Sequence, residues 1–175
     1  MTFLLLGFFV APFSACSDDP ESEPETPEPI IPHFELGYAV SEDMLALMDI
    51  EIIYMDTEGV KQTETMTTTT WNETFIGETL PAKVGYKVQF TLKENISLDK
   101  EVYTISGGVF YNIYTMQGSS KGTSYSISSS GSTGLNKNKI LEYLEEGYIK
   151  KGREHVWEIT ADGTLAEDST IDWSE

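Results

Sequence analysis

The 175-residue sequence predicts a mainly β protein, an immunoglobulin-like β-sandwich with one short helix, on three observations. From Phe34 onward, apolar and polar residues alternate with a period of two in short segments, as strands with one buried face require. Turn signals rich in Gly, Asp and Pro separate these segments at intervals that suit about seven strands, the number such a sandwich uses. One late stretch has helical spacing instead.

The first expected strand is Glu35 to Val40. Asp49 to Asp56 sets Ile50, Ile52 and Tyr54 in phase and leads through Thr57-Glu58-Gly59 into a partner at Val60 to Thr70, which reads as a hairpin. The β-branched threonines of that partner favour extended backbone, and their polarity places it at an edge or with one wet face. Trp71 to Thr79 follows, ending before Pro81. Tyr86 to Lys93 is the clearest alternation, with Tyr86, Val88, Phe90 and Leu92 sharing one face. Glu101 to Met116 exceeds the usual strand of about five or six residues, and Gly107-Gly108 in its middle reads as a bend or bulge joining two strands. Ser119 to Gly134 reads as a Ser/Gly loop of low order. In the helix, Asn136 or Asn138 is the expected cap, Ile140, Leu141 and Leu144 the apolar stripe, and Gly147 the stop. Glu154 to Thr160 is the last strand, before the Asp162-Gly163 turn. No repeat of solenoid or propeller period is visible. A lipocalin-like β-barrel is the alternative architecture, because that family also carries a late helix followed by one more strand. Its paired cysteines and its Gly-x-Trp near the first strand are absent.

Lys and Arg number 11 against 29 Asp and Glu, a formal net charge of -18. Phosphate backbones repel such a chain, so nucleic acid is not an expected partner. One cysteine forbids an internal disulfide, which leaves stability to core packing; a domain of roughly 140 residues buries about two-thirds of its unfolded surface.

Residues 1–15 read as a leader. Phe3 to Ala11 is an apolar run, and Pro12 closes it short of the roughly 20 residues that a bilayer crossing needs. Phe13-Ser14-Ala15-Cys16 resembles the lipobox of bacterial lipoprotein signal peptides, with Phe13 where an aliphatic residue is usual. The resemblance implies that Cys16 is lipidated and becomes an anchor in the membrane. An ordinary secretory leader with an incidental cysteine is the alternative. Residues 16–33 interleave acids with Pro20, Pro24, Pro27, Pro29 and Pro32 and read as a disordered acidic tether. An acidic stretch directly after the cysteine is similar to the surface-export signal of Bacteroides-type lipoproteins; a plain periplasmic linker is the alternative. With one domain over 34–175, the overall plan resembles the small surface lipoproteins of that group, which implies a lipid-anchored place in the outer membrane, facing the cell surface.

No catalytic residue is identified. The two histidines are His33, in the expected tether, and His155, at the start of a strand. Neither has a partner that the sequence reveals, so a Ser-His-Asp arrangement is unsupported, and zinc lacks closely spaced ligands. Gly107-Gly108 lacks the Lys and the spacing of a phosphate loop. Asp162, Asp168 and Asp172 are weak candidates for Ca²⁺, which prefers such hard oxygen ligands, though EF-hand spacing is missing; a solvated acidic tail is the plainer reading. Asp168-Ser169-Thr170 also resembles the O-glycosylation acceptor of Bacteroides-type secreted proteins. The candidate ligand-binding residues are Trp71, Tyr111 and Tyr114, because flat rings exposed on a sheet hold sugar rings, although most aromatic residues of alternating strands are core. Tyr111 and Tyr114 fall on opposite faces. The expected function is a non-enzymatic binding or accessory module for a glycan or a neighbouring surface protein. The alternatives are a pilus-type structural subunit, whose edge strands pair with a neighbour, or a small glycan-acting enzyme with a carboxylate pair.

Overall fold

The structure, a computed structural model, describes residues 27–174; the expected leader, Cys16 and the first part of the expected tether lie outside the described residues. The chain runs β1 (Ile30–Val40), α1 (Glu42–Leu47), β2 (Met48–Met55), β3 (Lys61–Thr65), β4 (Thr70–Ile76), β5 (Ala82–Leu92), β6 (Val102–Gln117), β7 (Ser120–Asn136), α2 (Ile140–Leu144) continuing into a π-helical turn (Glu145–Ile149), and β8 (Arg153–Ile159). Two antiparallel four-stranded sheets form, in the orders β4-β1-β6-β7 and β3-β2-β5-β8. They pack face to face without closing on each other, so the architecture is the expected sandwich and not the barrel.

The period of two builds the core. Phe34, Leu36, Tyr38 and Val40 of β1 face Ile50, Ile52 and Tyr54 of β2 and Val84, Tyr86, Val88 and Phe90 of β5, all buried. Tyr86 is fully buried and sits at the centre of an aromatic cluster with Tyr38, Trp71, His155 and Trp157, ring centroids 5.2 to 6.2 Å away. Its hydroxyl crosses between the sheets and donates to the Gly37 carbonyl at 3.2 Å. The two short helices close the ends: α1 buries Met44 and Leu47, and α2 buries Ile140 and Leu144.

Several elements differ from the sequence expectation. β1 begins at Ile30, so His33 belongs to a strand, opposite Ile76 and Tyr114, and not to the tether. The hairpin partner β3 stops at Thr65, and Met66 to Thr69 carry the chain across to the first sheet. α1 was not expected; Ser41 caps it by accepting from the Met44 N–H at 3.2 Å. β6 is one continuous strand, because Gly107 and Gly108 pair with Gly131 and Ser130. The expected Ser/Gly loop is therefore strand β7, whose Ser and Gly residues match the ladder of β6 from Val102 to Tyr114. In α2, Lys139 takes the cap position without a side-chain bond, Leu141 is exposed, and the helical run passes Gly147 before ending at Gly152. Gly152 has the positive φ of 58° that only glycine adopts freely. In the segment after β8 the acids Asp162, Glu167, Asp168 and Asp172 are exposed, while Ile171 is buried against Gly85 on the outer face of the second sheet, and Lys61 and Lys83 donate to the carbonyls of Ser174 and Thr170.

Tyr86→Phe removes only the hydroxyl that joins the sheets. We expect a loss of about 1 kcal/mol of stability, measured by urea denaturation, whereas Tyr86→Ala should cost about 3 to 5 kcal/mol through the cavity it leaves. An unchanged midpoint for Tyr86→Phe would show that the bond contributes nothing.

Candidate functional site

The two lateral edges of the sandwich are finished differently. On the β3 and β4 side, Glu64 accepts from the Tyr54 hydroxyl and from the Trp71 indole N–H, both at 3.0 Å, and so ties the edges together. On the opposite side β7 overhangs β8, and its residues from Ser120 to Ser132 are all exposed. Register fixes which of them face the second sheet: Ile127, Ser129, Gly131 and Thr133 lie opposite Tyr111, Val109, Gly107 and Ile105 of β6. Small side chains there leave a cleft of about 420 Å³. Ser129 to Thr133 form one wall, Tyr38 and Gly107 the floor, and Tyr143, Tyr148, Arg153 and His155 the other wall.

Glycine makes the floor. A Cβ on Gly107 would stand 3.3 Å from the Tyr38 hydroxyl and 3.6 Å from that of Tyr148, so both hydroxyls come close at this point. Gly131 has nothing within 4 Å of the place a Cβ would take. Across the cleft, the Arg153 guanidinium sits 4.7 Å from the centroid of the Tyr148 ring, a cation-π arrangement. Its Nη1 donates to the Gly152 carbonyl at 2.6 Å. The side chain is thus oriented by its own neighbours before any ligand arrives.

Burial sets the charge states. It pushes the Tyr38 hydroxyl up to about 12, with the Arg153 cation opposing, and it raises Tyr148, with Tyr143 adding to the effect. The His155 imidazole is held below its ordinary value, first by burial and then by Arg153, with Glu154 opposing. At neutral pH the cleft therefore offers protonated phenols, a neutral imidazole and one fixed cation. None of the residues lining it is Asp or Glu.

The sequence-predicted residues do not come together. Trp71 is core, 6% exposed. Tyr111 points inward and packs against Trp157, ring centroids 5.0 Å apart, while Tyr114 lies on the outer face of the first sheet. There the Tyr114 ring is already engaged: His33 stacks on it at 4.8 Å, the Lys121 ammonium lies 4.1 Å from its centroid, and its hydroxyl donates to Glu35 at 3.3 Å. Asp162 accepts from Thr160 and Thr164 within its own turn, and Asp172 accepts from Ser174. Among the described residues no three His, Cys, Asp or Glu side chains gather as a metal site, Asp168 included. Cys16 lies outside the described residues. Sequence reasoning missed Tyr38, Tyr148, Arg153 and the β7 wall; the one available signal was Arg153, the single arginine of a strongly acidic chain.

His155 gives the domain a pH dependence of predictable sign. A histidine whose folded pKa is depressed takes up more protons when unfolded, so stability is full above the ordinary histidine range and falls as the pH drops through it toward the folded value. Between pH 7 and 5 the melting temperature should fall, and His155→Gln should flatten that slope; an equally steep slope in the variant would remove His155 as its source. The chain matches no protein-family model, and no curated protein matches it in sequence.

Proposed function

We propose that this protein is a lipid-anchored, surface-facing, non-enzymatic binding module, and that the cleft between β7 and β8 takes a sugar of a glycan ligand. The observation that carries this reading is the composition of the cleft: phenol rings and hydroxyls on opposed walls, with no carboxylate lining it. Ring faces stack on the apolar faces of sugars, and Ser, Thr and Tyr hydroxyls exchange hydrogen bonds with sugar hydroxyls. Glycosidases need a flanking carboxylate pair, so the same composition favours holding a sugar over cleaving it. The anchor is Cys16, by the lipobox-like residues that precede it.

A second reading, a structural subunit, is favoured by β7. It is a 17-residue edge strand with no proline, and no charge stands between Lys121 and Lys137. Edges of that kind are open to pairing with another strand.

Gly131→Leu tests the cleft, since the new side chain enters open space and should leave the melting temperature unchanged. On a glycan array the full chain should retain at least one glycan that the variant does not. Undiminished binding by the variant would place the ligand elsewhere, and silence of both on the array, with concentration-dependent self-association of the full chain, would favour the structural subunit. For the anchor, Cys16→Ala should abolish palmitate incorporation and move the protein from the membrane to the soluble fraction of cells; unchanged fractionation would end that part of the proposal.

A further inference from the structure

Arg153 is the single arginine among 29 acidic residues, and it is the one cation that lines the cleft. The ion pairs among the described residues are all made by lysines: Lys83 with Glu158, Lys100 with Asp43, Lys137 with Glu101 and Lys150 with Glu146. Arg153 joins none of them. In a chain of net charge -18, this oriented guanidinium forms no ion pair with a described carboxylate. A guanidinium differs from an ammonium in presenting a planar fork, which matches the two oxygens of a carboxylate. One Nη already serves the Gly152 carbonyl, and the ring of Tyr148 takes one face of the cation, leaving the remaining N–H groups for a ligand.

We infer that the cleft selects an acidic sugar, a hexuronate-type residue whose carboxylate meets Arg153 while its hydroxyls meet Tyr38, Ser129 and Thr133. The inference rests on the reading of the cleft as a glycan site and adds the ligand's chemical class. The other wall fits the rest of the ring: Ser129 and Thr133 supply hydroxyls, and Gly107 and Gly131 leave the depth a pyranose requires.

The test is calorimetric titration of the full chain with methyl glucuronoside and methyl galacturonoside, their neutral glucoside and galactoside counterparts, and acetate. At least one uronoside should bind about tenfold tighter than its neutral counterpart, the scale of a charged hydrogen-bonded pair, and acetate should bind more weakly than that uronoside. Arg153→Met should erase the preference, the uronoside and its neutral counterpart then binding equally. Should that variant melt early because the stack on Tyr148 is lost, Arg153→Lys keeps the cation without the fork and should lose most of the preference. Equal binding of acidic and neutral sugars, unaffected by either substitution, overturns the inference and leaves the glycan cleft intact. Acetate binding as tightly as the uronosides overturns it in favour of a bare carboxylate site, and failure of every sugar, with Gly131→Leu behaving as the parent, overturns the glycan reading as well.

Discussion

The burial of Tyr86 at the centre of the core, with its hydroxyl bonded to the Gly37 carbonyl, is the constraint on which the rest of the sandwich depends. A phenol hydroxyl in the interior of a two-sheet core is costly unless it finds an acceptor. The acceptor it finds is backbone of the opposite sheet, so the bond joins the two sheets at the centre of the core. Tyr38 follows Gly37 in β1, and His155 lies opposite Tyr86 across the β5 to β8 ladder. Tyr38 of the floor and His155 of one wall thus lie beside the contact that centres the core, and burial is also the main cause that raises the phenols and lowers the imidazole.

The cleft itself arises from asymmetry between edges. Where β3 meets β4, a carboxylate from one sheet receives hydrogen bonds from rings rooted in both, and the sandwich is sealed. Where β7 meets β8, the residues that register turns inward are Ser129, Gly131 and Thr133, too small to span the gap between sheets about 10 Å apart. Leu or Phe at those positions would have completed the core. Their replacement by hydroxyls and glycine converts an edge into a concave polar surface while the ladder to β6 stays unbroken.

These origins explain what was legible. The strands that bury one face announce themselves: Tyr86, Val88 and Phe90 alternate with polar residues, and β5 was read from that alone. β7 has both faces in water over most of its length, so no hydrophobic period exists to mark it, and Ser and Gly are read as loop. Gly107 and Gly108 mislead for a related reason, since a glycine pair suggests a bend unless the partner strand supplies Gly131 and Ser130 opposite. α1 escaped because six residues hold less than two turns of periodicity. The ring candidates lie apart for different reasons: Trp71 sits in strand phase like any core residue, Tyr111 turns inward onto Trp157, and Tyr114 is engaged on the outer face; one sequence also does not reveal that Ser129 to Thr133 form the wall opposite Arg153.

The way the chain enters the fold has a mechanical consequence. β1 starts beside the tip of the β6-β7 hairpin, where Ile30 pairs with Gln117 and the Gln117 amide donates to the Glu28 carbonyl. Tyr38, on the cleft floor, lies about 27 Å further along the same strand at roughly 3.4 Å per residue. The strand therefore sets the distance between the point where the described chain enters the fold and the floor of the cleft, which lies at the opposite end of β1 from that entry.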